Sequence, residues 1–451
     1  ERIETVSSFS QDARAHPWRE AAEVVGFRSA VSIPIRDDND RMAAILTLYG
    51  AHPNQFESHW MLHSLTLLGQ LFTRALSHAR RAPAQVLPDQ QRLAWRARLT
   101  PEGLDMLLQP LVDLRDGRVK RVEALARLRL QDGKQVLPGE FLPWFGASEI
   151  TRLFTLGLEK AIAQILALEA QGVRLELSIN LPPEVLMQPD CPNWIARVLE
   201  RTGLSPDRLH MELLESGDFH DAPRRDTAVQ ALSALGVRLE MDDLGSGYSS
   251  LLRLRQLPFQ TVKIDQGLVR EAERDPRRVI GFIGSLIRLA HTLELDVVVE
   301  GLESPALIEV AMVLGADFGQ GFALAKPMSA ATLSDWSRQF AIAVDPARPT
   351  TALGALAAHW LWEYGGHDRD AADPARAHEH CALAHYLRQQ GLTDDEVGHV
   401  HADMHRLARD KGINSAEYRA VMTQMVALLM NAPEGHAVGD AQVHSKSDAP
   451  I

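Results

Sequence analysis

The sequence predicts a chain of three parts: an α+β segment, a (β/α)8 TIM-like barrel with an antiparallel first strand, and an all-α bundle. Three observations predict it. Between about Leu93 and Phe340, eight short β-branched runs alternate with helical segments, the pattern of a closed α/β barrel. Only "RDGR" separates the first two runs, and Asp116-Gly117 is a hairpin dipeptide, so the first strand should run antiparallel to the second. Past about Asp345 the strand signals vanish, helical runs dominate, and ten of the eighteen histidines lie after Thr350.

In chain order, residues 1–81 hold two strand-like runs, "RSAVSIPI" and "MAAILTLYG", around the polar turn "RDDND". A long apolar-periodic helix is expected from Glu57 to Arg80. "HPWREAAEVVGFRSAVSIPI" and "AAILTLYGAHPNQF" resemble the closing half of a GAF domain, which implies a sensory module of which only part is present. Residues 82–92 read as a linker, where proline and charge replace periodicity. The barrel is assigned to 93–342, with strands in "MLLQPLVDL", "RVEALARL", "RLELSIN", "RLHMELL", "VRLEMDD", "TVKID", "LDVVVEG" and "ADFGQGF". The helical bundle spans 352–430, and 431–451 is expected to be a disordered tail.

Bulk properties narrow the function. At 451 residues, with 24% charged and 45% hydrophobic residues, the chain is globular and long enough for two or three domains. No apolar run is long enough to span a bilayer and no signal peptide opens the chain, so no membrane insertion is expected. Two cysteines, Cys191 and Cys381, give no disulfide framework and favour a reducing, bacterial-cytoplasmic setting. A net charge of -12 argues against DNA as a partner, though a phosphate ligand can still bind where cations line its site. Glu1 opens the chain inside a domain, so a fragment of a longer protein is expected.

In such a barrel the reactive groups stand where the parallel strands end. Those ends carry Glu123, Asn180, Glu212, Asp242 with Asp243, Lys263, Glu300 and Gln320. Acids converging on one mouth repel one another, and hard divalent cations such as Mg²⁺ or Mn²⁺ relieve that repulsion. Adjacent aspartates point opposite ways in a regular strand, but at a strand terminus the second can turn inward. Glu123, Leu125 and Arg127 share one strand face, as do Lys263 and Asp265.

"EALAR", "SINLPPEVL", "ELLES", "DDLGSGYSSL", "VKID", "VVVEGLES" and "GQGFALAKP" together resemble the EAL-domain phosphodiesterases in order and spacing. That resemblance implies hydrolysis of cyclic di-GMP to linear pGpG with two divalent cations, Mg²⁺ or Mn²⁺. It implies that Glu123, Asn180, Glu212 and Asp242 hold one ion, with Asp242 shared and Asp243 on the other. Lys263 would touch the attacking water, while Glu300 and Gln320 would hold the opposite rim. Arg127 and Leu125 would meet substrate, and Glu215, Asp265 and Glu303 would support the ligands from behind. A homodimer is implied, with the segment Leu244–Phe259 linking site to interface. The chain departs from the family pattern at Leu214, Leu244, Ser246 and Phe322, none of them an oxygen ligand, and at Phe145-Gly146. The alternative is a catalytically weak cyclic di-GMP receptor or an inert signalling scaffold; intact Glu123, Asp242 and Lys263 favour the enzyme.

The helical part carries a second constellation. His401 and His405 stand four apart, on one helix face, where two imidazoles can chelate one metal. With His359 and Cys381 they form a three-histidine, one-cysteine set suited to tetrahedral Zn²⁺. The order resembles the chemoreceptor zinc-binding domain, although Ala384 replaces its usual glycine and the intervening helices are shorter. The alternative is a histidine-rich surface with Cys381 as a small core residue; His378, His380, His385 and His399 also compete for the assignment.

Overall fold

The computed structural model describes residues 3–36, 42–58, 89–214, 222–244, 256–340, 347–364 and 381–431, with single positions between them. The chain divides into two compact units, Glu1–Asp89 and Gln90–Ile451. In the first, β1 (Glu4–Val6), β2 (Ser29–Arg36) and β3 (Met42–Gly50) form an antiparallel sheet in that order, with helix α1 (Arg19–Val25) before β2. Val31 and Ile33 pack with Phe56 and Leu65 on one side, Phe9 with Ala15, Ala22 and Ala30 on another. The helix expected over Glu57–Arg80 falls largely outside the described residues, and the segment 82–88 and the tail after Asn431 lie wholly outside them. Helix α2 (Asp89–Ala97) occupies the end of the expected linker and buries its Trp95.

The second unit contains a closed barrel. Its strands are β4 (Leu104–Asp113), β5 (Arg118–Arg129), β7 (Glu176–Asn180), β8 (Leu209–Leu214), β9 (Arg238–Leu244), β10 (Thr261–Ile264), β11 (Asp296–Val299) and β12 (Phe318–Gly319), with β6 (Gln135–Val136) appended to β5. They neighbour one another in the order β4-β12-β11-β10-β9-β8-β7-β5, and β4 pairs with β5 to close the ring. β4 runs antiparallel to both its neighbours; every other adjacent pair in the ring is parallel. The Asp116-Gly117 signal does make a hairpin, but the loop is longer than two residues, since Asp113 pairs with Arg118. The buried Asp113 carboxylate, bonded by Arg115 and Lys120, holds that loop open. Gly117 has φ 68° and a Cβ there would lie 2.8 Å from Ile342 O, so only glycine fits.

Helices α3 (Ala147–Ala170), α4 (Cys191–Thr202), α5 (Ala222–Ala234), α6 (Pro276–Thr292), α7 (Pro305–Val313) and α8 (Ala330–Gln339) follow the strands. Their apolar stripes, such as Ile280, Ile283 and Ile287 on α6, are buried at the period expected of an amphipathic helix. Among the described residues four more helices follow: α9 (Ala352–Tyr364), α10 (Ala382–Gln389), α11 (Glu396–Lys411) and α12 (Ala416–Asn431). α9 packs on α6 and α7. Trp360 lies against Gly281 and Gly284, and a Cβ on Gly284 would come within 2.3 Å of the indole. The buried Glu309 of α7 caps the start of α9, accepting bonds from Thr350 N at 2.7 Å and Thr351 N at 2.8 Å. Among the described residues, no helix is long and apolar enough to cross a membrane.

Candidate active site at the barrel mouth

Alternation along each strand sends every second side chain into the barrel, and the middle of β5, the carboxyl ends of β7, β8, β9 and β10, and the turns after β11 and β12 deliver the polar set to one place. Lys263, 1% exposed, sits at its centre. Its Nζ lies 2.7 Å from Glu300 Oε1, 3.0 Å from Glu212 Oε2, 3.4 Å from Glu123 Oε2 and 3.6 Å from Asp242 Oδ1. Glu123 also accepts from Asn180 Nδ2 at 3.0 Å and from Gln320 Nε2 at 2.8 Å. Eight residues expected at the mouth are therefore described there: Glu123, Asn180, Glu212, Asp242, Asp243, Lys263, Glu300 and Gln320.

The two aspartates face the same site for a backbone reason. Asp243 has φ 61°, in the left-handed region, and the β9–β10 register shifts so that two residues of β9 oppose one of β10. That bulge cancels the alternation. Asp242, Asp243 and Glu300 can thus bring one carboxylate oxygen each within 4.8 Å of one another.

Electrostatically the mouth is strained by its own acids. Burial raises the Glu212 carboxyl well above the usual carboxylate range, with Glu123 adding to it. Burial also raises Asp242, and pushes Glu300 up to about 7. Burial alone would lower the Lys263 ammonium; Glu123, Glu212, Glu300 and Asp242 outweigh it and hold the lysine well above its ordinary value. One lysine faces four acids, and Glu212 Oε1 and Gln320 Oε1 are buried without a hydrogen-bond partner. Unsatisfied buried oxygens in an all-oxygen, acid-rich set suit hard divalent cations. Glu123, Asn180, Glu212, Asp242 and Asp243 are residues that could hold such ions.

Other expected residues stand elsewhere. Arg127, half-buried, is farther along β5 and donates to Ala126 O at 2.8 Å, with Leu125 between it and Glu123. Asp265 caps the short helix Gln266–Arg270 by accepting from Gly267 N at 2.9 Å. Glu303 is exposed and pairs with Arg270 at 2.5 Å. Glu215 and most of the segment Leu244–Phe259 lie outside the described residues. Sequence reading did not single out Arg121, Ser178, His210 or Glu240, which fill the barrel directly beneath the acids; alternation marks them as inward-facing and nothing more.

The second constellation also assembles. His359 from α9, Cys381 at the start of α10, and His401 and His405 from α11 can each offer an atom within 4.8 Å of the others. Cys381 Sγ is 3.1 Å from His401 Nε2. Burial pushes the Cys381 thiol up to about 11. Behind His359, its Nε2 lies 3.2 Å from the Tyr418 hydroxyl, which donates to the buried Glu363.

Comparison with known proteins gives the same outline. Residues 92–327 match the EAL domain family. An uncharacterized signaling protein of Caulobacter vibrioides is 36% identical over 51% of this chain and 28% of its own length. A cyclic di-GMP phosphodiesterase of Pseudomonas aeruginosa is 31% identical over 53% of this chain and 41% of its own. The chain thus spans less than half the length of these relatives. The solved structure of the PaMucR phosphodiesterase, in complex with c-di-GMP, is 33% identical, covers 54% of this chain and 99% of that one, and superposes with a TM-score of 0.50. The EAL enzyme Bd1971, at 21% identity and a TM-score of 0.53, shares the fold.

Proposed function

The chain belongs to the EAL domain family, and from that premise we propose that its barrel hydrolyses cyclic di-GMP to the linear dinucleotide pGpG. The observation that carries this reading is the convergence of Glu123, Glu212, Asp242 and Glu300 around Lys263, all within 3.6 Å of one ammonium. In the reaction a water oxygen bonds to phosphorus, the bond from phosphorus to the ribose 3′ oxygen breaks, and that oxygen takes up a proton. Two divalent cations, Mg²⁺ or Mn²⁺, would supply charge neutralisation of the attacking and leaving oxygens; Glu123, Asn180, Glu212, Asp242 and Asp243 would hold them. Lys263 orients the attacking water and places a positive charge beside the phosphate. Glu300 and Gln320 fix the far rim, Glu300 through Lys263 and Gln320 through Glu123. Arg127 and Leu125 receive the substrate along β5, the guanidinium pairing with a phosphate by charge-assisted bonds. The low exposure of the acids keeps bulk water from competing with these contacts.

The test is incubation with cyclic di-GMP, linear pGpG and an unrelated phosphodiester, each with Mg²⁺ or Mn²⁺, followed by nucleotide chromatography. Conversion of cyclic di-GMP alone supports the reading. An unaltered cyclic dinucleotide contradicts it and leaves the receptor or scaffold alternative.

A second reading rests on the His359, Cys381, His401 and His405 cluster: the helical segment binds Zn²⁺. Three imidazoles and a thiolate are the donor set of a closed tetrahedral zinc site, and Tyr418 with Glu363 would orient His359 from behind. Metal analysis of protein purified without chelator tests it. The amino-terminal unit fits a GAF-like sensory role by its antiparallel sheet, in a cytoplasmic homodimer, and a fully active monomer at assay concentration would contradict the dimer.

A further inference from the structure

The interior of an α/β barrel is ordinarily filled by branched apolar side chains. Here the layer under the acidic mouth is ionic. Glu240 of β9 is fully buried and lies at its hub. Arg121 of β5 and Ser178 of β7 donate to its carboxylate, and His210 Nδ1 of β8 lies 2.8 Å from its Oε1. A second acid, Glu176, braces the far side: its Oε2 takes Arg121 Nε at 3.3 Å and lies 3.0 Å from His210 Nε2. The Arg121 guanidinium also stacks over Phe318 of β12, 4.8 Å from the ring centre.

Four members of this layer each stand two residues before a candidate metal ligand on the same strand. Arg121 precedes Glu123, Ser178 precedes Asn180, His210 precedes Glu212, and Glu240 precedes Asp242. Two residues along a strand is one step on the same face. One carboxylate therefore ties together the four strands whose next inward residues form the proposed metal set. Arg121 and Glu240 reach across two intervening strands, β7 and β8, to do so. A buried ion pair contributes little net stability against a well-packed apolar pair of similar volume, so stability alone gives no reason for it.

We propose that Glu240 and Arg121 are positioning residues: their cross-barrel pair, with Ser178 and His210, sets the spacing of Glu123, Asn180, Glu212 and Asp242 and so sets the affinity of the mouth for divalent cations. The inference rests on the metal reading of the mouth. It goes beyond that reading by assigning metal affinity to residues that touch no metal.

The test titrates Mn²⁺ into chelator-stripped full chain and follows free Mn²⁺ by electron paramagnetic resonance, the ions at the mouth being those lost in Asp242→Asn. The variants are Glu240→Gln, the double replacement Arg121→Met with Glu240→Met, which fills the same space, and Ser178→Ala. The double variant should melt, metal-free, within a few degrees of the wild type yet bind Mn²⁺ on the order of tenfold more weakly, the usual cost of losing a group behind a metal ligand. Ser178→Ala should weaken binding in the same direction by less. Should Glu240→Gln misfold, the double and serine variants still decide. Unchanged Mn²⁺ affinity in both, whatever their melting temperatures, overturns the proposal. If the wild type takes up no Mn²⁺ at the mouth, the metal reading itself falls, and this inference with it.

Discussion

The barrel mouth and the histidine–cysteine cluster each gather at least four potential ligands within a few ångströms, by opposite means. At the mouth the donors are oxygens from strand ends and the turns after them, crowded by charge around one lysine. On the helices they are three imidazoles and a thiol, held by α9, α10 and α11. The difference teaches that residue proximity alone does not define a metal site; donor chemistry decides which ion it suits. Like charge makes the first site costly without a hard cation. The second can rest as a packed cluster, with its thiol protonated and a proton to lose before it ligates.

The comparison breaks most sharply at Lys263. Lys263→Ala and Glu123→Ala should each lower cyclic di-GMP turnover on the order of 10³-fold, while zinc content measured on the same samples stays at the wild-type level. Equal loss of zinc would mean that the two regions are not independent. From the other side, Cys381→Ala and His405→Ala should reduce bound zinc from roughly one per chain to background, with Mn²⁺ binding at the mouth retained. Elemental analysis of both pairs of variants checks this.

A smaller effect separates binding from chemistry within the barrel. Arg127→Ala should raise KM roughly ten- to a hundredfold, the worth of a charge-assisted bond to phosphate, with kcat changed much less. Steady-state kinetics would reveal the split, and an equal fall in kcat would place Arg127 in the reacting set.

The smallest concerns acid. Burial works against ionisation of Glu176, but His210 and Arg121 outweigh it and hold the carboxyl down at about 2. Because the folded value lies below the ordinary one, the stabilisation is complete above about pH 4.5 and is lost as pH falls toward 2. Glu176→Gln should therefore narrow the difference in melting temperature between pH 7 and pH 3, by a few degrees at most. An unchanged difference in calorimetry would remove Glu176 from the acid response.

Much of the mouth was legible because acids at the ends of apolar runs announce themselves once a barrel is recognised. The antiparallel first strand was legible in Asp116-Gly117 for a similar local reason. The inward turn of Asp243 was legible only as an option; the bulge that produces it depends on register with β10. Arg121 and Glu240 were not legible, since they lie 119 residues apart and each reads alone as an ordinary inward strand position. Likewise Gly281 and Gly284 look like plain helix interruptions until Trp360 of α9 fills the notch they leave. Long-range partners carry this information, and local patterns do not.

Hydrolysis at the barrel mouth is expected to depend on metal. Its most direct test is the release of pGpG from cyclic di-GMP by chelator-stripped protein as Mn²⁺ is restored, with Lys263→Ala run in parallel. No product is expected without metal, product should rise with Mn²⁺ to a plateau in the wild type, and none should form above background in the variant. Absence of product at saturating Mn²⁺, or equal product from Lys263→Ala, would contradict this expectation.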